Sequence, residues 1–551
     1  MKLPAGLRTI ADLARPSTIK RLHSAGALGP ASPLAMTAAV PWLIGRGPSL
    51  GVASQLNALQ VGKKPAIHDR RGSITWRELD TAANRTGRAL AAGGVKPGDR
   101  VAMLLRNSRE FAQVLLAAQK HGFIACPLNT WARPKELSAS LDNVKPRAIV
   151  YDTAHTEQLA ESLGSDVILI STGTGETLDG TAPFEEFIQS GRGAPPSPFV
   201  RDRGSARIII HTSGTTGLPR GARRDAAAIG LGALANLVSV VPYQRSDVVL
   251  CPAPLFHSFG LVTFTIATAL GATLVLPEAF DAEDALALIE RHRATATSFV
   301  PVMIRRITDL NEDIRARYDL SSLRIVLASG SAMSPSMRAA TAATFGDVLY
   351  DLYGSTEAGW VSIATPEDMR ARPTTVGRPV PGIEVAALDA SGNPAPPGEE
   401  GELYVRSGVL FDGYTSGEGR PTHDGFVSIG DVGHFDAGGF LYVGGRSDDM
   451  VVVGAENVYP IEVEEVIESI EGVIEAAVLG IPDEEFGQVL AAFVVGTVDA
   501  ETVTRRCSAE LASYKVPRRI EILKELPRTG TGKVLKRELL AGLSTRGKVS
   551  K

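Results

Sequence analysis

The sequence predicts an α/β protein: a large N-terminal domain of α/β sheets closed by a β-rich subdomain, followed by a smaller α+β domain. Three observations lead there. From about residue 47 to about residue 380, strand-like apolar runs alternate with longer Ala/Leu-rich segments, the pattern of sheets covered by helices. Beyond 380 the alternation gives way to short strands set among Pro and Gly clusters. Finally, 551 residues with 44% hydrophobic and 21% charged content suit a globular chain too long for a single core.

Residues 1–46 form a basic N-terminal extension, in which Lys2, Arg8, Arg15, Lys20, Arg21 and Arg46 face one acid, Asp12. Its apolar stretch, Pro33 to Ile44, is interrupted by Pro41 and is too short to span a bilayer. Two placements fit: a peripheral arm on an anionic membrane surface, or a segment packed on the main body.

The large domain, 47–447, opens its βαβ series with a strand at Arg100–Leu105 and a helix at Arg109–His121. Further strands are read at Ala148–Tyr151, at Asp247–Cys251 before a helical segment that follows Phe256, and at Leu323–Ala328 before a helix at Ser334–Thr344. Gly382–Asp389 and Gly401–Arg406 read as strands around the turn Ser391-Gly392-Asn393. The polar loop Gly444–Asp449 precedes Val451-Val452-Val453 and marks a hinge. The C-terminal domain, 448–551, then reads as a helix at Pro460–Ile470, strands at Ala476–Leu479 and Ala491–Val495, a helix at Ala500–Ser513 and a strand at Ile520–Leu523.

With 57 basic and 61 acidic residues the net charge is −4, which gives no reason to expect a nucleic-acid partner. Three dispersed cysteines, Cys126, Cys251 and Cys507, form neither a disulfide framework nor a CxxC pair and suit a reducing, cytoplasmic setting.

The most informative segment follows the apolar run Ile208-Ile209-Ile210: His211-Thr212-Ser213-Gly214-Thr215-Thr216-Gly217-Leu218-Pro219-Arg220-Gly221-Ala222. Glycines 214, 217 and 221 let backbone N–H groups turn inward, and four hydroxyls add donors, a lining suited to phosphate oxygens. A Walker A loop cannot be laid over it. Gly532-Lys533 also fails that pattern, with Val534 at the hydroxyl position and Pro527 at the first glycine.

The segment resembles the phosphate loop of the adenylate-forming enzymes (acyl-CoA synthetases, firefly-type luciferases and peptide-synthetase adenylation domains), whose usual form is Ser-Gly-Thr-Thr-Gly-x-Pro-Lys-Gly. Arg220 stands where that family has Lys. Other segments resemble further motifs of the family, in its order, over residues 47–540. The resemblance makes the first domain an adenylate-forming domain and the second a mobile one. It implies that Thr212, Ser213, Gly214, Thr215, Thr216 and Gly217 hold the phosphates of ATP, and that Gly330, Ser331 and Ala332 wall the adenine. In Asp351-Leu352-Tyr353-Gly354-Ser355-Thr356-Glu357, it implies a nucleotide-lining segment: Tyr353 stacks on adenine, Thr356 reaches the α-phosphate and Glu357 binds Mg²⁺, a hard cation suited to carboxylate oxygen. By the same resemblance Asp431 and Arg446 would take the ribose, with Ile429 replacing the commoner Thr. The resemblance further implies that Asp448 is the hinge position, that Gly454 enters beside a pantetheine tunnel, and that Lys533 is the mobile catalytic lysine, a flexible cation able to bridge carboxylate and α-phosphate.

In Pro254-Leu255-Phe256-His257-Ser258-Phe259-Gly260-Leu261 no acid is present to pair with an α-ammonium, which argues against an amino-acid substrate. His257 resembles the residue beside the acyl carboxylate or thioester path. Small and apolar residues around Gly230, Gly232, Phe256 and Phe259 leave room for an alkyl chain, each buried CH₂ adding about 0.8 kcal/mol. The expected activity is ATP-dependent activation of a medium- or long-chain fatty acid through acyl-AMP and transfer to coenzyme A. The alternatives are a carrier-protein acceptor, disfavoured by the compact interval Gly377–Asp431, an aryl or small carboxylate, a luciferase-like oxygenase, and a noncatalytic nucleotide-binding protein.

Overall fold

In the computed structural model the residues described are 16–26, 49–163, 167–192, 207–213, 219–225, 231–415, 417, 419–446, 451–453, 456–483, 486–511, 513–528 and 533–546.

Two well-capped helices organise the large domain. Thr75 accepts from the Glu78 N–H while the Glu78 carboxylate takes the Thr75 N–H at 2.8 Å, a reciprocal capping box that starts the helix Trp76–Ala92. Ser108 caps Arg109–His121 by accepting from the Phe111 N–H at 3.2 Å, and Gly122, at φ 81°, ends it in the left-handed conformation, as helix C-termini favour. The span of this second helix coincides with the sequence expectation. Leu79, Leu90, Phe111 and Leu115 are fully buried. They share one core with Ile67 and Leu274 of one sheet and Val101 and Met103 of another, so the helices lie between two sheets.

Among the described residues the first sheet has seven strands, in the spatial order 182–183, 168–172, 148–152, 100–104, 124–127, 207–213, 219–225. They are parallel except for the last pair. Val101, Ala102, Met103 and Leu104 are all fully buried, as expected of a parallel strand covered on both faces. Among the described residues the second sheet has nine strands, in the order 378–379, 359–364, 349–355, 325–328, 296–299, 248–250, 273–275, 65–69, 72–75. An antiparallel sheet with five strands among the described residues (384–388, 401–406, 422–423, 426–435, 441–446) forms the β-rich subdomain. In the smaller C-terminal domain, strands 451–453, 456–458, 473–483, 487–496 and 519–523 pack against helices Pro460–Glu468 and Ala500–Glu510 through Val463, Ile467, Val478, Leu490 and Val503. The architecture is therefore the expected mixed α/β one, with a large N-terminal and a smaller C-terminal domain.

Three local expectations are corrected. The strand at Ile208 does not break at His211: it continues to Ser213 and returns as Pro219–Asp225, with Thr212 opposite Arg220 and His211 opposite Gly221. Gly221 is thus a strand residue, and its lack of a side chain serves packing: a Cβ there would lie 2.9 Å from Asn143 Oδ1, Ile209 Cγ2 and Thr415 Cγ2. Likewise Gly444 and Gly445 belong to the strand Leu441–Arg446 and not to a loop. The helices read to Ile470 and Ser513 stop at Glu468 and Glu510, in the first case because Gly472, at φ 89°, turns the chain into the next strand.

Of the N-terminal extension, residues 16–26 are described, and they pack on the body. Arg21 Nη1 donates to Asn236 Oδ1 at 2.6 Å and the Arg245 N–H donates to the Ala25 carbonyl at 2.9 Å. Among the described residues no helix is long and apolar enough to cross a membrane.

Candidate active site

Parallel strands end in loops at one edge of a sheet, and ligands collect outside those carboxyl ends. The nine-stranded sheet follows this rule. Strand Ile325–Ala328 runs into Ser329 and Gly330, whose φ of +104° suits glycine and strains other residues. Next to it, strand Leu349–Ser355 turns back through Thr356-Glu357-Ala358 into Gly359–Ala364, the turn held by the Ala358 N–H donating to Ser355 Oγ at 3.0 Å. Facing them is the helix Ser258–Leu270, entered through His257, and the Thr356 hydroxyl donates to Ser258 Oγ at 3.4 Å. These elements enclose a cavity of about 680 Å³.

The cavity brings together residues remote in sequence. Phe256, His257, Phe259, Gly330, Leu352, Gly354, Ser355 and Thr356 line it from the large domain, and Lys533 lines it from the small one. Burial, with the nearby Lys533 charge as the second cause, lowers the His257 imidazole to about 4, so it is neutral at neutral pH. His211, also on the wall, is held at about 4 by burial, opposed by the Pro127 backbone.

Beside the cavity, Tyr353 Oη donates to Asp431 Oδ2 at 2.5 Å, and Asp431 stands opposite Arg446 across an antiparallel pair. Glu357 is buried, and its Oε1 accepts from Tyr414 Oη at 2.7 Å. Among the described residues no group of three or more His, Cys, Asp or Glu could hold a metal ion. A single carboxylate such as Glu357 suits a Mg²⁺ that takes its remaining ligands from phosphate and water.

Other expected residues lie elsewhere. Asp351 does not reach the cavity: its carboxylate is buried against Arg338 Nη2 at 2.6 Å, and burial raises its pKa despite that partner. Ser331 and Ala332 are exposed next to Gly330 without lining the cavity. The helix that begins at Leu231, and so carries Gly232, sends Leu234, Ala235 and Leu237 into the core. Gly214, Thr215, Thr216, Gly217, Gly230, Asp448 and Gly454 lie outside the described residues, as do the side chains of Thr212, Ser213 and Arg446.

Sequence reading missed several wall residues. Trp131 is 47% exposed and meets Phe256 edge-on at 5.2 Å; nothing in its loop marks it. Val300 and Met303 also line the cavity. The apolar run Ala296–Phe299 ending at Val300-Pro301 was a usable signal, since it puts them at a strand's carboxyl end.

Residues 55–415 match the family model of the AMP-binding enzyme, and residues 462–533 match that of the AMP-binding enzyme C-terminal domain. The chain is 31% identical over 473 residues to the long-chain-fatty-acid–CoA ligase FadD13 of Mycobacterium tuberculosis, covering 84% of this chain and 92% of that one. It is 32% identical over 502 residues to the indoleacetate–CoA ligase of Aromatoleum aromaticum, covering 87% and 95%. Its fold is similar to that of the anthranilate CoA ligase AuaEII in complex with anthranoyl-AMP, with a TM-score of 0.82 at 27% identity over 91% of this chain and 98% of that one.

Proposed function

The chain belongs to the AMP-binding enzyme family, and from that premise we propose that it is an AMP-forming ligase that activates a medium- or long-chain fatty acid and passes it to coenzyme A. The observation that carries the reading is the meeting of Lys533, from the small domain, with His257, Gly330 and Thr356 of the large domain around one cavity. In the first step a carboxylate oxygen attacks the α-phosphorus of ATP and pyrophosphate leaves. In the second the coenzyme A thiolate attacks the acyl carbonyl carbon and AMP leaves.

Each residue has a stated part in this reading. The Lys533 ammonium sits where carboxylate and α-phosphate would approach, offsetting their mutual repulsion and the charge of the transition state. Thr356, held by Ser258, presents a hydroxyl to the α-phosphate. Tyr353 offers its ring to adenine while fixing Asp431, whose carboxylate accepts from the ribose hydroxyls. His257, neutral and half-buried, flanks the acyl path without adding a second cation. Glu357 would hold a Mg²⁺ carried by the nucleotide, which supplies charge neutralisation for the phosphates. After adenylation the small domain turns about Asp448, Lys533 withdraws and the loop of Gly454 comes to the thiol tunnel.

Ile208, Ile210, Val262 and Leu352 on the cavity wall support an alkyl chain. A second reading, an aryl carboxylate, is favoured by the aromatic residues Trp131, Phe256, Phe259, Phe280 and Trp360 on the same wall. Incubation with ATP, Mg²⁺, coenzyme A and a panel of dodecanoate, indoleacetate and anthranilate, with thioesters read by mass spectrometry, separates the two. Dodecanoyl-CoA as the main product supports the first, an aryl thioester the second, and no thioester from any acid overturns both.

A further inference from the structure

The strand Val473–Asp483 of the small domain contains a bulge: its register against Gly487–Gly496 shifts between Val473 and Glu475. A bulge leaves one residue outside the ladder and re-aims its neighbours, and both consequences are used here. Ile474, 51% exposed, turns its carbonyl toward the large domain, where it accepts from Arg305 Nη1. Glu475, 9% exposed, turns inward and pairs with Arg528 Nη2.

Each contact leads to the cavity. Arg305 lies on the helix Pro301–Thr308, whose Met303 and Arg306 line the cavity. Arg528 forms a bridge with Val534, and the Leu535 N–H donates to the Pro527 carbonyl at 2.7 Å, so the residues that flank Lys533 on either side, 527–528 and 534–535, are pinned to each other. Glu468 braces the bulge by accepting the Ala476 N–H at 3.3 Å; burial raises its pKa, opposed by the nearby Arg305 charge. Large domain, bulge and lysine segment thus form one continuous chain of polar contacts.

We propose that the Ile474–Glu475 bulge is a docking latch, with Glu475 and Arg305 as positioning residues that hold Lys533 in the cavity for the adenylation step. Neither touches substrate; they act through Arg528 and the domain contact. The role in adenylation rests on the function proposed for Lys533, whereas the pinning itself does not. Because the Arg305 contact joins the two domains, a small domain that has turned away loses it, so the latch serves one half-reaction alone.

The test uses the full chain with two readouts. In ligand-free protein, hydrogen–deuterium exchange of the peptide containing Leu535 should rise about tenfold in Glu475→Gln, as loss of a part-buried ion pair implies; unchanged protection overturns the latch. In activity, dodecanoate-dependent pyrophosphate exchange should fall about tenfold in Glu475→Gln and Arg305→Ala, while thioester formation from supplied dodecanoyl-AMP and coenzyme A stays within about twofold. Unaltered exchange, or equal loss of both half-reactions, contradicts the proposal. Lys533→Ala run in parallel separates the two ideas: if it keeps full exchange, the function assigned to Lys533 fails, and the hydrogen–deuterium result alone decides the latch.

Discussion

Tyr353 and Asp431, 78 residues apart, are joined by a 2.5 Å hydrogen bond from the phenol to the carboxylate. It links the end of the nine-stranded sheet to the β-rich subdomain at the point where the nucleotide is proposed to bind. A hydrogen bond to a charged acceptor contributes about 1.5–3 kcal/mol. Tyr353→Phe keeps the ring and deletes the donor, so the KM for ATP should rise about tenfold with little change in kcat. Initial rates across an ATP series measure this, and an unchanged KM would separate the pair from nucleotide binding.

Lys533→Ala should abolish adenylation and leave thioester formation from supplied acyl-AMP largely intact. The side chain meets the cavity from a domain that is proposed to withdraw it before the second step. Separate assays of the half-reactions read the difference; equal loss in both argues against the turning of the small domain.

Acid should destabilise the protein through two half-buried imidazoles. His211 and His257 are held at about 4, against an ordinary 6.5, so between those values the unfolded chain binds protons that the folded one refuses. The stability these groups confer is complete above about pH 6.5 and is lost as pH falls toward 4, by about 2–3 kcal/mol for each. Urea midpoints at pH 7 and pH 5 should differ less in His211→Gln than in the parent chain. An identical pH dependence would refute the burial argument.

Gly221→Val should lower the Tm, because the new side chain would meet Asn143, Ile209 and Thr415 at distances that require movement. Overpacking of this kind costs about 1–3 kcal/mol. Calorimetry checks it, and an unchanged Tm would show that the hairpin has slack there.

How much of this was readable in advance depended on whether the signal was local. Ser108 and Gly122 bracket their helix in the sequence itself, so its limits are legible there. The hydroxyl-rich composition of His211–Ala222 was equally visible, yet its hairpin was not, since the pairing of Pro219–Asp225 with Arg207–Ser213 depends on close packing around Gly221. Asp351 sits in a recognisable motif, but strand alternation sends its carboxylate to Arg338, away from the neighbouring Leu352 that lines the cavity. Trp131 reaches the wall by the path of a loop, and the Arg305–Ile474 contact by a bulge; neither leaves a periodic trace.

Substituting Val262→Trp should shift preference toward shorter carboxylates. Val262 and Thr265 lie one turn apart on the helix Ser258–Leu270 and both line the cavity, and each methylene excluded forfeits about 0.8 kcal/mol of binding. A chain-length series of fatty acids reads the profile; an unmoved optimum would take this face out of the acyl pocket.

The central claim, that the cavity shared by Lys533 and His257 activates a carboxylate by adenylation, is tested most directly by ATP–pyrophosphate exchange. The assay runs over carboxylates of graded length, with and without coenzyme A. The expected result is exchange that requires the carboxylate, proceeds without coenzyme A, and yields AMP and thioester once coenzyme A is added. Absence of exchange with every acid, or release of ADP and phosphate in place of AMP and pyrophosphate, would contradict it.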